Sequence, residues 1–166
     1  MAYTLISSQT LASSAASVTF SSIPSTYKDL VLRVSARSDS AGTFTYHKIT
    51  FNGSASGYSQ TYIYGNGSTA GTGLTSANTE IDGYYIPRAG ATASTFSSDE
   101  YYIPSYLVAQ NKPLSANIIR ENNTTAADIY AYAGLYSNTS TISSIAFVPN
   151  AGNYVTGSSF YLYGIN

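Results

Sequence analysis

"DLVLRVSAR", residues 29–37, decides the fold. In an extended chain Leu30, Leu32, Val34 and Ala36 fall on one side, and Val31, Arg33, Ser35 and Arg37 fall on the other. The repeat is two residues, not the three to four of a helix, so the segment predicts a half-buried antiparallel strand with a wet outer face. The same alternation recurs on both sides of it. Earlier come "YTLISSQ" (3–9) and "SVTFSSI" (17–23). Later come "HKITFNG" (47–53), "YSQTYIYGNG" (58–67), "DEYYIP" (99–104), "SANIIREN" (115–122), "DIYAYAGLYS" (128–137), "ISSIAFVP" (142–149) and "SSFYLYGI" (158–165). Asn52-Gly53 and Asn66-Gly67 are hairpin signals, because both residue types tolerate positive φ.

These segments predict about ten strands separated by Gly, Ser, Asn and Pro clusters. The expected fold is all-β: one antiparallel two-sheet β-sandwich of jelly-roll type, spanning residues 1–166 as a single domain. A closed barrel is the alternative, and one apolar face per strand suits two sheets sharing a core better. Two long Gly/Ser/Thr stretches, 66–80 and 87–98, are expected as loops, which at that length tend to carry function. "PSYLVAQN" (104–111) is the best helical candidate, and a turn suits it better. "YYIP" occurs at 84–87 and again at 101–104, as the two arms of one β-excursion each closed by proline.

Composition excludes several functions. Charged residues are 9% of the chain, against about 25% in ordinary globular proteins. Ser (27), Thr (19) and Tyr (17) replace them, so the surface is hydroxylic and aromatic. Three Lys and four Arg with a net charge of −1 supply no basic patch for phosphates, which argues against nucleic acid. Cys is absent, so there is no disulfide framework or thiolate metal site. No apolar run approaches the length of a membrane helix, so no membrane partner is expected. The opening "MAYTLISSQT" has neither a basic n-region nor a long apolar h-region. Synthesis in a cytoplasm without a signal peptide follows as the expectation.

Catalytic chemistry finds little support. His47 stands alone in a strand, where a packed or surface role is commoner than a triad base. Glu80 and Asp82, two apart, share a strand face and could hold Ca²⁺ or act as a glycosidase pair. A solvated strand start is the simpler reading. Asp99 and Glu100 point to opposite faces and cannot converge. No catalytic site, metal or cofactor is therefore predicted.

Tyrosine is the distinctive feature. Tyr62 with Tyr64, and Tyr130, Tyr132 with Tyr136, place phenols on one strand face, where Tyr serves interfaces and sugar sites or simply packs between sheets. The closing strand sets Phe160 and Leu162 on one side and Tyr161, Tyr163 and Ile165 on the other, as in an inner strand or one lying under another subunit. The candidate interface is thus Tyr62, Tyr64, Tyr130, Tyr132, Tyr136, Phe160, Tyr161 and Tyr163.

Four passages resemble a group of small bacteriophage virion proteins. They are Ser17–Leu30, within the wider match 3–38; Thr50–Gly53; Ala133–Ile145; and Gly157–Ile165. The resemblance implies a non-enzymatic structural protein of a tailed phage. Its first form is a capsid decoration (cement) protein, a homo-oligomer with a trimer favoured, which bridges capsomers by binding the major capsid protein. The alternative is a tail-fibre or spike module that recognises host glycan, with the 66–80 and 87–98 stretches as binding loops. A glycan-cleaving enzyme using Glu80, Asp82 or Glu100 would need two carboxyls within about 5–9.5 Å.

Overall fold

The computed structural model describes residues 2–121 and 127–166. These form twelve strands: β1 (Tyr3–Thr10), β2 (Val18–Phe20), β3 (Asp29–Ser35), β4 (Phe44–Phe51), β5 (Tyr58–Gly65), β6 (Ala70–Asn78), β7 (Ile81–Pro87), β8 (Ser98–Ile103), β9 (Lys112–Glu121), β10 (Ala127–Tyr136), β11 (Ile145–Pro149) and β12 (Ser159–Ile165). Asn122, the last residue of the strand predicted at 115–122, lies outside the described residues. No helix is present among the described residues, and 104–111 is a chain of turns and bends.

The strands make two antiparallel sheets, one of eight in the order β1-β12-β3-β8-β9-β10-β5-β6 and one of four in the order β2-β11-β4-β7. Setting aside the β5–β6 and β9–β10 pairs leaves β1-β12-β3-β8 facing β2-β11-β4-β7. First pairs with last and second with second-to-last, which is the jelly-roll winding. The two remaining pairs join as β9-β10-β5-β6 and widen the larger sheet beyond its partner. We call the first half the jelly-roll half and the second the extension.

"DLVLRVSAR" behaves as its alternation predicts. Leu30, Leu32, Val34 and Ala36 are buried, and Arg33 is exposed. Val31 is buried as well, on the outer face, flanked in register by Tyr163 and Tyr102. β12 lies between β1 and β3, hydrogen-bonded on both sides, and sends Phe160 and Leu162 into the core. Across the sandwich they meet side chains of the smaller sheet, Phe147 among them at 5.6 Å from Phe160 between ring centroids. Full burial of such a side chain contributes about 1.5–3 kcal/mol.

Four local expectations change. The 66–80 stretch is not one long loop but a four-residue turn followed by β6. Gly71 and Gly73 pair with Tyr64 and Tyr62, and a Cβ at Gly73 would stand 2.3 Å from the Tyr62 ring. The glycines that look like linker are room for two phenol rings, the aromatic covering of glycine known from other sheets. Asn52-Gly53 has the positive φ values of a hairpin turn, 54° and 68°, yet β4 and β5 belong to different sheets. Asn52 instead accepts hydrogen bonds from Ser143 and Ser144 and donates to the Thr141 carbonyl, tying the turn to another connection. The two "YYIP" segments are likewise not paired arms, since β7 and β8 lie in opposite sheets. Arg37, expected on the wet face, is buried beyond the end of β3. Its guanidinium donates to the carbonyls of Thr92, Thr95, Ala91 and Ala89 at 2.7–3.4 Å. One side chain thereby organises the 87–98 loop and uses up much of its hydrogen-bonding capacity.

Candidate functional site: the outer face of the larger sheet

Most of the predicted interface tyrosines turn inward. On β5 and β10 the phenol-bearing phase faces the smaller sheet, so Tyr62, Tyr64, Tyr130 and Tyr132 collect against Tyr84 and Tyr85 of β7. Ring centroids lie 5.4 Å apart for Tyr64–Tyr130, 5.9 Å for Tyr84–Tyr130 and 5.5 Å for Tyr62–Tyr132. Burial pushes the Tyr84, Tyr130 and Tyr132 hydroxyls well above the usual phenol range, so all stay neutral, and the Tyr132 hydroxyl is buried with no hydrogen-bond partner among the described residues. Tyr136 stacks on Tyr58 at 4.8 Å, and Phe160 sits edge-on to Tyr154 at 5.0 Å. Tyr130, Tyr132, Tyr136 and Phe160 are buried within their own subunit, while Tyr62 and Tyr64 stay partly exposed and line a surface hollow with Phe44 and Tyr85. Of the candidates, only Tyr161 and Tyr163 lie on the outer face, half-buried and stacked at 6.4 Å with 21° between planes.

That outer face has two unlike parts. Over the extension, register sets Ile119 beside Ile129, Ala131 beside Ile63, and Leu74 beside Thr61. Ile63 is 59% exposed, Leu74 72%, Ile129 53% and Ile119 44%. A shallow hollow lies among Ile63, Ile129, Ala131 and Ala70. The outward positions of β10, β5 and the paired part of β6 carry no charged residue. Sequence reasoning passed over these aliphatic residues, and the alternation "IYAYAGLY" could have shown them as the phase opposite the tyrosines.

Over the jelly-roll half the face is polar and aromatic. Tyr161, Arg33, Glu100 and Asn117 stand side by side across β12, β3, β8 and β9. Arg33 Nε donates to Glu100 at 2.9 Å, and its guanidinium lies 5.4 Å from the Tyr3 ring centre and 5.9 Å from that of Tyr163. Small residues, Ser35, Ser98 and Ser159, line the same region. Large side chains beside small ones leave a groove of about 580 Å³.

The remaining candidates are held elsewhere. His47 is fully buried and joins the two sheets: Nδ1 lies 2.7 Å from the Tyr154 hydroxyl and Nε2 3.0 Å from Asp99 Oδ2, which also accepts from Ser97 at 3.0 Å. Burial raises the Asp99 carboxyl, and the hydrogen bond from His47 opposes that rise. Asp82 is buried, accepts from Asn78 at 3.1 Å and from the Gln60 amide, and is pushed up to about 6, first by burial and then by Glu80. Asp99 faces the core and Glu100 the outer surface, as their adjacency predicts. Among the described residues no group of three or more His, Asp or Glu side chains gathers as metal ligands, and no helix is long and apolar enough to cross a membrane.

No protein-family model, curated protein or solved structure matches this chain.

Proposed function

We propose that this chain is a non-enzymatic structural subunit of a bacteriophage virion, most directly a capsid decoration protein, which assembles with copies of itself through the outer face of the extension. One observation carries the reading: aliphatic side chains that a lone subunit has no reason to expose stand together on a face whose β10, β5 and β6 positions bear no charge. Contiguous exposed apolar surface on this scale marks a protein interface. Burying each such side chain contributes up to about 1.5–3 kcal/mol, so a few of them can offset the cost of association. The buried His47 supports a non-catalytic role, because both ring nitrogens are engaged and no substrate reaches them. The resemblance of residues 3–38, 50–53, 133–145 and 157–165 to small phage virion proteins supplies the setting.

Heating phage heads with and without the subunit tests the decoration role. Heads that carry it release DNA at a higher temperature. Equal release temperatures, or heads that never bind it, would overturn that role.

A further inference from the structure

The geometry points to a saccharide-binding groove on the outer face where the jelly-roll half meets β9 of the extension, between Tyr161/Tyr163 and Asn117. The groove borders the proposed oligomer face at Ile119 and Asn117 of β9, while Ile63, Leu74 and Ile129 lie outside its lining.

Three observations define the ligand. The first is the pair of phenol rings, Tyr161 and Tyr163, stacked nearly parallel and half-exposed along one bank. Such a platform suits a flat, weakly polar ligand face, as the C–H face of a pyranose is. The second is a set of uncommitted polar groups. Among the described residues, the side chains of Ser35, Ser98, Asn117 and Ser159 take part in no intramolecular hydrogen bond, and neither do the Tyr161 and Tyr163 hydroxyls. Hydroxyls and a carboxamide can each donate and accept, which complements the hydroxyls of a sugar. Some comparable groups elsewhere on the surface are spent on local turns, as Asn66 is on Ser68 and Thr69. The third is charge. Arg33 and Glu100 cancel one another across the floor, so the groove offers no net attraction to phosphate or sulfate. Its volume, about 580 Å³, lies within the range of small-molecule sites. An apolar peptide is the poorer match, because Ile119 is the one exposed aliphatic side chain on the groove's lining and the main aliphatic hollow lies over the extension. The 66–80 and 87–98 stretches, expected as binding loops, are taken up by β6 and by Arg37.

Saturation-transfer NMR and calorimetry with a panel of neutral trisaccharides (gluco-, manno-, galacto- and N-acetylglucosamine types) test the assignment, alongside a broad glycan array. At least one neutral saccharide is expected to bind saturably, with Kd of about 1 mM or tighter. Tyr161→Ala and Asn117→Ala should each weaken that ligand about ten-fold or more, a loss of about 1.4 kcal/mol, without moving the melting temperature. Two variants guard against a folding artefact, since Asn117 is exposed and its loss removes no packing. Leu74→Lys, on the other half of the face, should leave saccharide affinity unchanged while altering the oligomer. Absence of binding across panel and array would overturn the proposal. So would binding that survives both groove variants, or binding only to anionic glycans that is abolished by salt.

Discussion

The two halves of the larger sheet have opposite polarity. In the jelly-roll half the inner face is mainly aliphatic, with Leu30, Leu32, Val34 and Leu162 buried beside Phe160 and Tyr101, and the outer face is polar and aromatic. In the extension the inner face is phenolic and the outer face aliphatic. Both halves share one hydrogen-bonded ladder, so backbone requirements do not explain the inversion. What lies above each inner face does. β3 and β12 are covered by the smaller sheet, and a dry slot rewards aliphatic packing. The extension runs past that sheet and is capped chiefly by β7. There Tyr62 and Tyr64 pack their rings while staying partly exposed, and only the Tyr132 hydroxyl of this cluster is buried with no partner among the described residues. Isoleucine and leucine then remain for the outer side, where only a partner can cover them. A β-sandwich can thus expose aliphatic side chains on the side that, in an isolated domain, would be the polar one.

The comparison can be broken from either half, and the largest effect comes from the jelly-roll half. Removing residues 159–166 deletes a strand paired on both sides, together with Phe160 and Leu162. No folded, assembled protein should be recovered; a soluble, assembled truncation detected by gel filtration would refute the placement of β12. Phe160→Ala is the point version and should cost about 3–5 kcal/mol by urea denaturation. In the extension, Gly73→Ala forces a Cβ into the Tyr62 ring and should cost about 1–3 kcal/mol. Neutral behaviour would mean that Tyr62 is free to move and that the phenol cluster is loosely packed.

Asp82 links the halves, because its backbone N–H donates to Gln60 Oε1 of β5 at 2.9 Å. Its carboxyl binds a proton more tightly folded, at about 6, than in an unfolded chain, where an aspartate titrates at about 3.8. Stability that it contributes at pH 4 is therefore lost as the pH rises through 6. Asp82→Asn should raise Tm at pH 8 by a few degrees and leave it nearly unchanged at pH 4, as read by circular dichroism. A larger benefit at pH 4 would reverse the sign and the account. The smallest effect on stability is expected from Leu74→Lys, within about 0.5 kcal/mol, because the side chain is mostly exposed in the subunit.

Much of the fold was legible because strand alternation is a strong signal. Leu30/Leu32/Val34 and Phe160/Leu162 fixed which faces are buried, and the run of short strands pointed to a jelly roll. β6 was not legible, since "AGTGLT" looks like a linker until Tyr62 and Tyr64 are seen lying over its glycines. The inward turn of the β5 and β10 tyrosines was not legible for a related reason. In "IYAYAGLY" both phases are apolar, so alternation shows that two faces exist without showing which turns inward. The answer depends on where β7 ends above the sheet, a long-range fact no local window holds. The groove was only half visible: Tyr161 and Tyr163 stood out, while Arg33, Glu100 and Asn117 come from three other strands and meet only through register.

The central claim is that the aliphatic face of the extension is covered by another copy of the chain. Sedimentation velocity of the wild-type protein and of an Ile63→Lys/Leu74→Lys variant tests it most directly. The account predicts a wild-type oligomer, a trimer favoured, at a multiple of the 17.6 kDa chain mass, and a folded monomer for the variant. A wild-type protein that stays monomeric at every concentration, or an oligomer untouched by two lysines in that face, would contradict it.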